Sequence, residues 1–213
     1  MAHRHGHIGG EGDSAVSGSE RGGAGSAAPR PKRADARRNE KTLLDAAAAV
    51  FVASGVEAPI RHIAAEAGVG TATIYRHFPT RADLIVAVYR HQVEALAEAG
   101  PALLAAGATP YAALGQWIDR FMDFVVTKQG LAAVLQSDDP CYDPLHSYFL
   151  ERLVPVCAQL LDAAAESGEI RPGMDAYALM RGVGGLCAGA GNNPRYDARQ
   201  LVETLIAGLR RAD

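Results

Sequence analysis

Thr71, Thr73, Tyr75, Arg76 and His77 fall within seven consecutive positions. Positions four apart share one side of a helix. Ile74 and Phe78 form an apolar pair at that spacing, whereas Thr71 with Tyr75, Ala72 with Arg76 and Thr73 with His77 cover the other side. Such a rod anchors through Ile74 and Phe78 and turns hydroxyl, guanidinium and imidazole groups outward. This is the chemistry of reading a hydrogen-bonding polymer. The planar fork of Arg76 suits the O6 and N7 of guanine, a bidentate pair worth roughly 1–3 kcal/mol of discrimination. Thr71 and Ala72, at the N-terminal end, can meet a thymine methyl, and Thr73, Tyr75 and His77 suit phosphate oxygens. The helix N-terminus adds partial positive charge.

A rod of this kind needs a frame. A second short amphipathic segment starts near Pro59 or Ile60 with Ile63, Ala64 and Ala67 inward, and Gly68 makes the corner, as in a helix-turn-helix. An earlier helix over residues 36–53 has Leu44, Ala47, Ala48 and Phe51 on one face and stops at Ser54-Gly55. Pro59 suits the first turn of the second helix. Pro79-Thr80 ends the reading helix, and Thr80 with Asp83 forms a capping box for a fourth helix over residues 81–96. Leu84, Val88 and Gln92, with Ile85, Tyr89 and Leu96, give that helix two buried edges, so it serves the parts on both sides of it.

After Gly100-Pro101 the pattern stays helical, with helices expected over residues 110–128, 131–136, 143–167, 175–190 and 197–211. Gly168, Gly173 and residues 191–194 are breaks, and Pro155 should kink or split the long segment. Alanine dominates, β-branched runs are scarce and no strand pair stands out, so the fold class is all-α. The expected division is a disordered tail (residues 1–29), a helix-turn-helix domain (30–93) and a helical rear domain (94–213).

Charge follows the same division. Residues 30–93 hold ten Lys/Arg against six Asp/Glu, and residues 94–213 hold nine against fifteen. A basic front and an acidic rear suit a polyanion-binding module joined to one that avoids polyanions. Arg30, Lys32, Arg33, Arg37 and Arg38 read as an arm before the first helix that touches phosphates. The tail is Gly/Ser/Ala-rich and too poor in apolar side chains to order itself. Its His3, His5 and His7 offer little preorganisation for a metal, so no metal or cofactor is assigned. Cys141, Cys157 and Cys187 lack metal-ligand spacing and read as reduced thiols of a cytoplasmic protein. Neither a signal peptide nor a membrane-spanning run is visible.

Gly55, Ile63-Ala64, Ala67-Gly68-Val69, Ile74-Tyr75-x-His77-Phe78 and Leu84, preceded by Ala47, Phe51 and Gly55 as A-x-x-x-F-x-x-x-G, fall at the spacing of the tetracycline-repressor (TetR) family. The chain resembles that family over residues 37–93. The remaining part resembles it only in being helical. The resemblance implies a bacterial, sequence-specific DNA-binding regulator, a homodimeric repressor on a double-stranded operator, released by an unknown small-molecule effector. There are departures. Ala58-Pro59-Ile60 stands where the family carries a threonine pair on phosphate, which puts that contact in doubt or moves it to Arg61. Gly70 replaces a common serine, Ala72 a common glycine and Arg81 a common lysine. Arg81, with Arg37 and Arg38, is expected to complete a phosphate clamp.

In the rear part, Trp117, Phe121 and Phe124 recur at helical spacing, and Tyr148 and Phe149 lie on a later helix. They read as core that also walls an effector pocket. Asp119 and Asp123 are expected in solvent or against a cationic ligand. The last two helices read as the dimer surface, through Leu179, Val183, Leu186, Leu201, Leu205 and Leu209, with Gly182, Gly184, Gly185 and Gly189 allowing close approach. Ligand binding would shift the fourth helix and change the spacing of two reading heads. Two other readings stand beside this one. A DNA-binding module without an effector would show no ligand-induced thermal shift. A small helical enzyme would need Asp138, Asp139 and His146 assembled into a site, and nothing in the chain orders them.

Overall fold

A computed structural model describes residues 30–107, 109–130, 143–189 and 195–211. The described elements are α-helices: α1 Arg30–Ser54, α2 Ile60–Ala67, α3 Thr71–His77, α4 Arg81–Ala105, α5 Pro110–Gly130, α6 Asp143–Glu166, α7 Ala176–Gly189 and α8 Ala198–Ala207. The expected helix over residues 131–136, the tail with His3, His5 and His7, Cys141, the Asp138-Asp139 pair and the 191–194 break lie outside the described residues.

The front part is a three-helix unit. α1 buries Leu44, Ala47, Ala48 and Phe51, the face expected from spacing, with Leu43 and Ala46 on its flank. It packs on α2, α4 and α5. α1 and α4 run antiparallel: Asp45 Oδ1 and His91 Nε2 are 2.7 Å apart, while the far end of α1 leads into carbonyls that meet Arg81 at the start of α4. α4 begins on the expected capping box. Asp83 N–H donates to Thr80 Oγ1 at 3.1 Å and Thr80 N–H to Asp83 Oδ2 at 2.9 Å.

The rear helices pack around α4, chiefly α5 and α6, with α7 and α8 outside them. The C-terminus folds back. Arg171 N–H donates to Leu209 O at 3.0 Å and Arg211 N–H to Glu169 O at 3.1 Å, around an antiparallel bridge of Ile170 and Arg210. Glu169 also accepts from Tyr111 N–H at 3.0 Å, and thereby serves an unpaired donor at the start of α5.

Several boundaries depart from expectation. The basic run over residues 30–38 is the first part of α1, so it is helix and not a loose arm. α4 passes straight through Gly100 and Pro101 to Ala105, and α6 passes through Pro155 without a break. Both prolines are on exposed positions, where water can take up a carbonyl that the missing N–H leaves free. Gly100 is buried at the α4–α6 crossing. α8 is shorter than expected because residues 208–211 are drawn off to the bridge. No described helix is long and apolar enough to cross a membrane.

Candidate nucleic-acid interface and aromatic core

The reading helix is set by a short turn. Gly68 caps α2 at φ 65°, a left-handed conformation that a side chain resists. Its N–H donates to Ala65 O at 3.2 Å, and Val69 N–H to Ala64 O at 2.9 Å. Gly70, extended, leads into α3, and Thr73 N–H returns to Gly70 O at 2.9 Å. Ile74 and Phe78 are buried beneath the helix at 1% and 7% exposure. Thr71, Ala72, Tyr75, Arg76 and His77 are exposed and Thr73 is half-buried. Tyr75 is 53% exposed, a large aromatic with its ring in solvent. Among the described residues no hydrogen bond or ion pair occupies Arg76. The polar face is thus assembled and unspent.

The expected clamp is only partly assembled. Arg61 is exposed on α2. Arg81 is turned inward: its guanidinium donates to Val56 O and, at 2.9 Å, to Ala58 O. It ties the α1–α2 connection to the start of α4, and the departure from the family's threonine pair falls in the loop it holds. Arg37 and Arg38 are exposed about two turns before Asp45, at the end of α1 away from the α1–α2 corner. They are therefore not brought beside Arg81.

Behind this face lies an aromatic core. Trp117 and Phe121 stack with centroids 5.7 Å apart, Phe124 and Phe149 likewise at 5.7 Å, and Phe121 and Phe149 at 6.1 Å. Tyr89 of α4 meets Phe124 edge-on at 5.6 Å. Burial raises the Tyr89 hydroxyl pKa above its usual value. Trp117 Nε1 donates to Leu96 O at 2.9 Å. These four stacked rings are thus buried, and the core touches α4 along its length. Tyr148 stands apart from the stack. Its hydroxyl donates to Glu94, which also receives Arg152 Nε and Nη2, both at 2.6 Å. Arg90 lies over the Tyr148 ring at 5.2 Å. The Arg152 hydrogen bond is the largest effect on Glu94, whose pKa is pushed down to about 2 against the opposing pull of burial.

Two features were not anticipated from the sequence. One is this Glu94 cluster, for which the signal was Arg90/Glu94 and Tyr148/Arg152, each pair four apart on its helix. The other is Lys128, whose ammonium sits 4.9 Å from the Phe149 centroid and whose pKa burial lowers. Asp119 and Asp123 are not simply solvated, since Arg199 of α8 donates to each at 3.0 Å. Burial pushes the Cys157 thiol up to about 12 and raises that of Cys187.

The expected dimer residues separate. Leu179, Val183 and Leu209 are buried inside the protomer's own core, so they present nothing to a second copy. Leu186 and Leu205 are half-buried, and Leu201 is 43% exposed. Gly182, Gly184 and Gly185 have open space where a Cβ would be.

Residues 43–88 match the family profile for bacterial regulatory proteins of the tetR family, and residues 109–211 match that for the C-terminal domain of SbtR-like transcriptional regulators. A crystal structure of a TetR transcriptional regulator from Streptomyces coelicolor is 35% identical. The match covers 82% of this chain and 99% of that one, with a TM-score of 0.71. The chain belongs to the TetR family of transcriptional regulators. A second TetR regulator, from Mycobacterium vanbaalenii, is 28% identical over 85% of this chain and 100% of that one, with a TM-score of 0.65. A transcriptional regulator of Saccharomonospora viridis, solved in complex with choline, has the same fold at 20% identity and a TM-score of 0.61, covering 84% of this chain and 100% of that one. No curated protein sequence matches the chain. As a TetR regulator the protein is a DNA-binding transcriptional regulator and not an enzyme.

Proposed function

We propose that this TetR regulator is a homodimeric repressor of the bacterial cytoplasm that holds an operator on the nucleoid with two copies of α3 and releases it when a small molecule enters the aromatic core. Residues 30–93 are its reading module and residues 94–213 its sensing and pairing module. The observation that carries the reading is the outward face of α3, anchored by Ile74 and Phe78 and with Arg76 free among the described residues. Arg76 is assigned to a guanine edge, Thr71 and Ala72 to thymine methyls, and Thr73, Tyr75, His77, Arg61, Arg37 and Arg38 to phosphates.

One short reading helix gains little affinity, so the protein must act in pairs on half-sites about one helical turn, or a multiple of it, apart. The second copy is assigned to the outer faces of α7 and α8, where Leu186, Leu201 and Leu205 supply apolar area and Gly182 and Gly185 let backbones approach. α4 is the lever. One end is fixed to the reading module by Arg81, which holds the Val56 and Ala58 carbonyls, and Leu96 further along receives Trp117 from the sensing core. Switching occupancy from nearly full to nearly empty requires a coupling of roughly 5.5 kcal/mol. The choline complex of the S. viridis protein supports a small-molecule role for this module and does not carry its ligand over.

The test is salt-titrated binding to an operator selected from random duplexes. Arg76→Ala is expected to relax the preference at one base position. Arg38→Ala is expected to weaken all sequences alike and flatten the salt slope by about one. An Arg76→Ala protein with unchanged sequence preference removes the assignment, and a sedimenting species of one chain at micromolar concentration removes the dimer.

A further inference from the structure

Among the described residues, Lys128 is a cation in a largely apolar setting. Its side chain is half-buried near the end of α5, and its ammonium lies over the face of Phe149. That ring is itself buried and stacked on Phe121 and Phe124. The ring face attracts the charge but accepts only one side of it. An ammonium carries three donors and no acceptor. A half-buried lysine keeps its stem against apolar surface and part of its head in water, and among the described residues no carboxylate lies within ion-pair distance of Lys128. Glu94, the carboxylate beside Tyr148 on the neighbouring helix, is already filled by Arg152 and the Tyr148 hydroxyl. Asp119 and Asp123 of the same helix are held by Arg199.

His146 shares the Phe149 ring, with centroids 6.3 Å apart. A lysine and an imidazole are thus gathered on one aromatic side chain at the edge of the core. We propose that Lys128 receives an anionic head group, with His146 on the same ring as a second donor, and that the effector is a carboxylic acid whose aromatic or aliphatic body packs at the Phe149 end of the core. This rests on the reading of the aromatic core as the sensing site. It gives that site a charge preference opposite to the cationic ligand that Asp119 and Asp123 suggested in sequence.

The test is calorimetric titration of the full chain with phenylacetate and octanoate, each against its neutral amide, in parallel with operator release. The wild type is expected to favour each carboxylate over its amide at least tenfold. Lys128→Met should bring that ratio to near one, and Lys128→Arg should restore most of it. Because the ratio is internal to each variant, a general loss of packing does not imitate the result. Equal binding of acids and amides by the wild type overturns the charge preference and leaves an effector site standing. Preference for the acids without operator release upholds Lys128 and overturns the effector reading. An undiminished ratio in Lys128→Met, or no binding of either acid, overturns the assignment to Lys128.

Discussion

Gly100 of α4 lies so close to Val156 of α6 that a Cβ on the glycine would overlap the valine Cγ1, with Leu160 Cδ1 and Trp117 Cδ1 each 3.7 Å from that Cβ position. The two longest rear helices cross at a place where one of them has no side chain. Overpacking a tight contact costs typically 1–3 kcal/mol. Gly100→Ala is therefore expected to destabilise the protein by about that much, despite alanine's better helix propensity. Adding Val156→Ala should recover most of the loss, since the two positions share one space. Denaturant midpoints of the two single variants and the double variant check this, and additive effects would contradict it.

Arg81 provides a second test, because its inward course changes what its loss should do. A phosphate ligand lowers the salt slope of DNA binding by about one when removed. A residue that holds the Val56 and Ala58 carbonyls instead loosens the α1–α2 corner. Arg81→Ala is expected to lower the melting temperature and weaken operator binding while leaving the salt slope unchanged. Arg61→Ala, by contrast, should lower the slope with little effect on melting. A slope reduced by one in Arg81→Ala would return that residue to the DNA surface.

The same residue shows where sequence reasoning stops. α2 and α3 could be placed closely because their ends are written in local chemistry: Pro59 before one, Gly68 between, Pro79-Thr80 after. A cation at the start of α4 is equally apt for a phosphate or for two backbone carbonyls, and only the fold decides. Gly100-Pro101 has the composition of a break, yet there the glycine answers to Val156, a partner far away in the chain. Leu179 and Val183 have the apolar periodicity that a dimer surface and a protomer core share. The aromatic spacing of α5 foretold buried rings, whereas their stacking on Phe149 and the position of Lys128 required a second helix to be placed.

The cap of α4 bears on both modules. Thr80 and Asp83 satisfy each other's backbone donors, and removing such a cap costs about 1 kcal/mol. Thr80→Ala is expected to cost that much in global stability and to increase amide exchange in the first turn of α4 more than elsewhere. Thr80→Ser should behave as the wild type. Hydrogen-exchange rates over residues 81–84 distinguish this from a uniform loss, which would deny the box a local role.

Glu94 links α4 to α6 through Arg152 and Tyr148, and its carboxyl titrates lower when folded than when unfolded. Its folded pKa is about 2 against an ordinary 4.5. A group whose folded pKa is depressed contributes stability above its unfolded pKa and loses it as the pH falls toward the folded value. The contribution of Glu94 is therefore complete above about pH 5 and disappears between there and about pH 2. Glu94→Gln keeps the shape of the side chain and removes the titration. It should be less stable than the wild type at pH 6, and the difference should shrink steadily as the pH is lowered through that window. Urea unfolding at a series of pH values checks this. Parallel stability curves for the two proteins would mean that the Arg152 contact contributes nothing in solution, as exposed pairs often do, and that packing such as that around Gly100 holds the α4–α6 crossing.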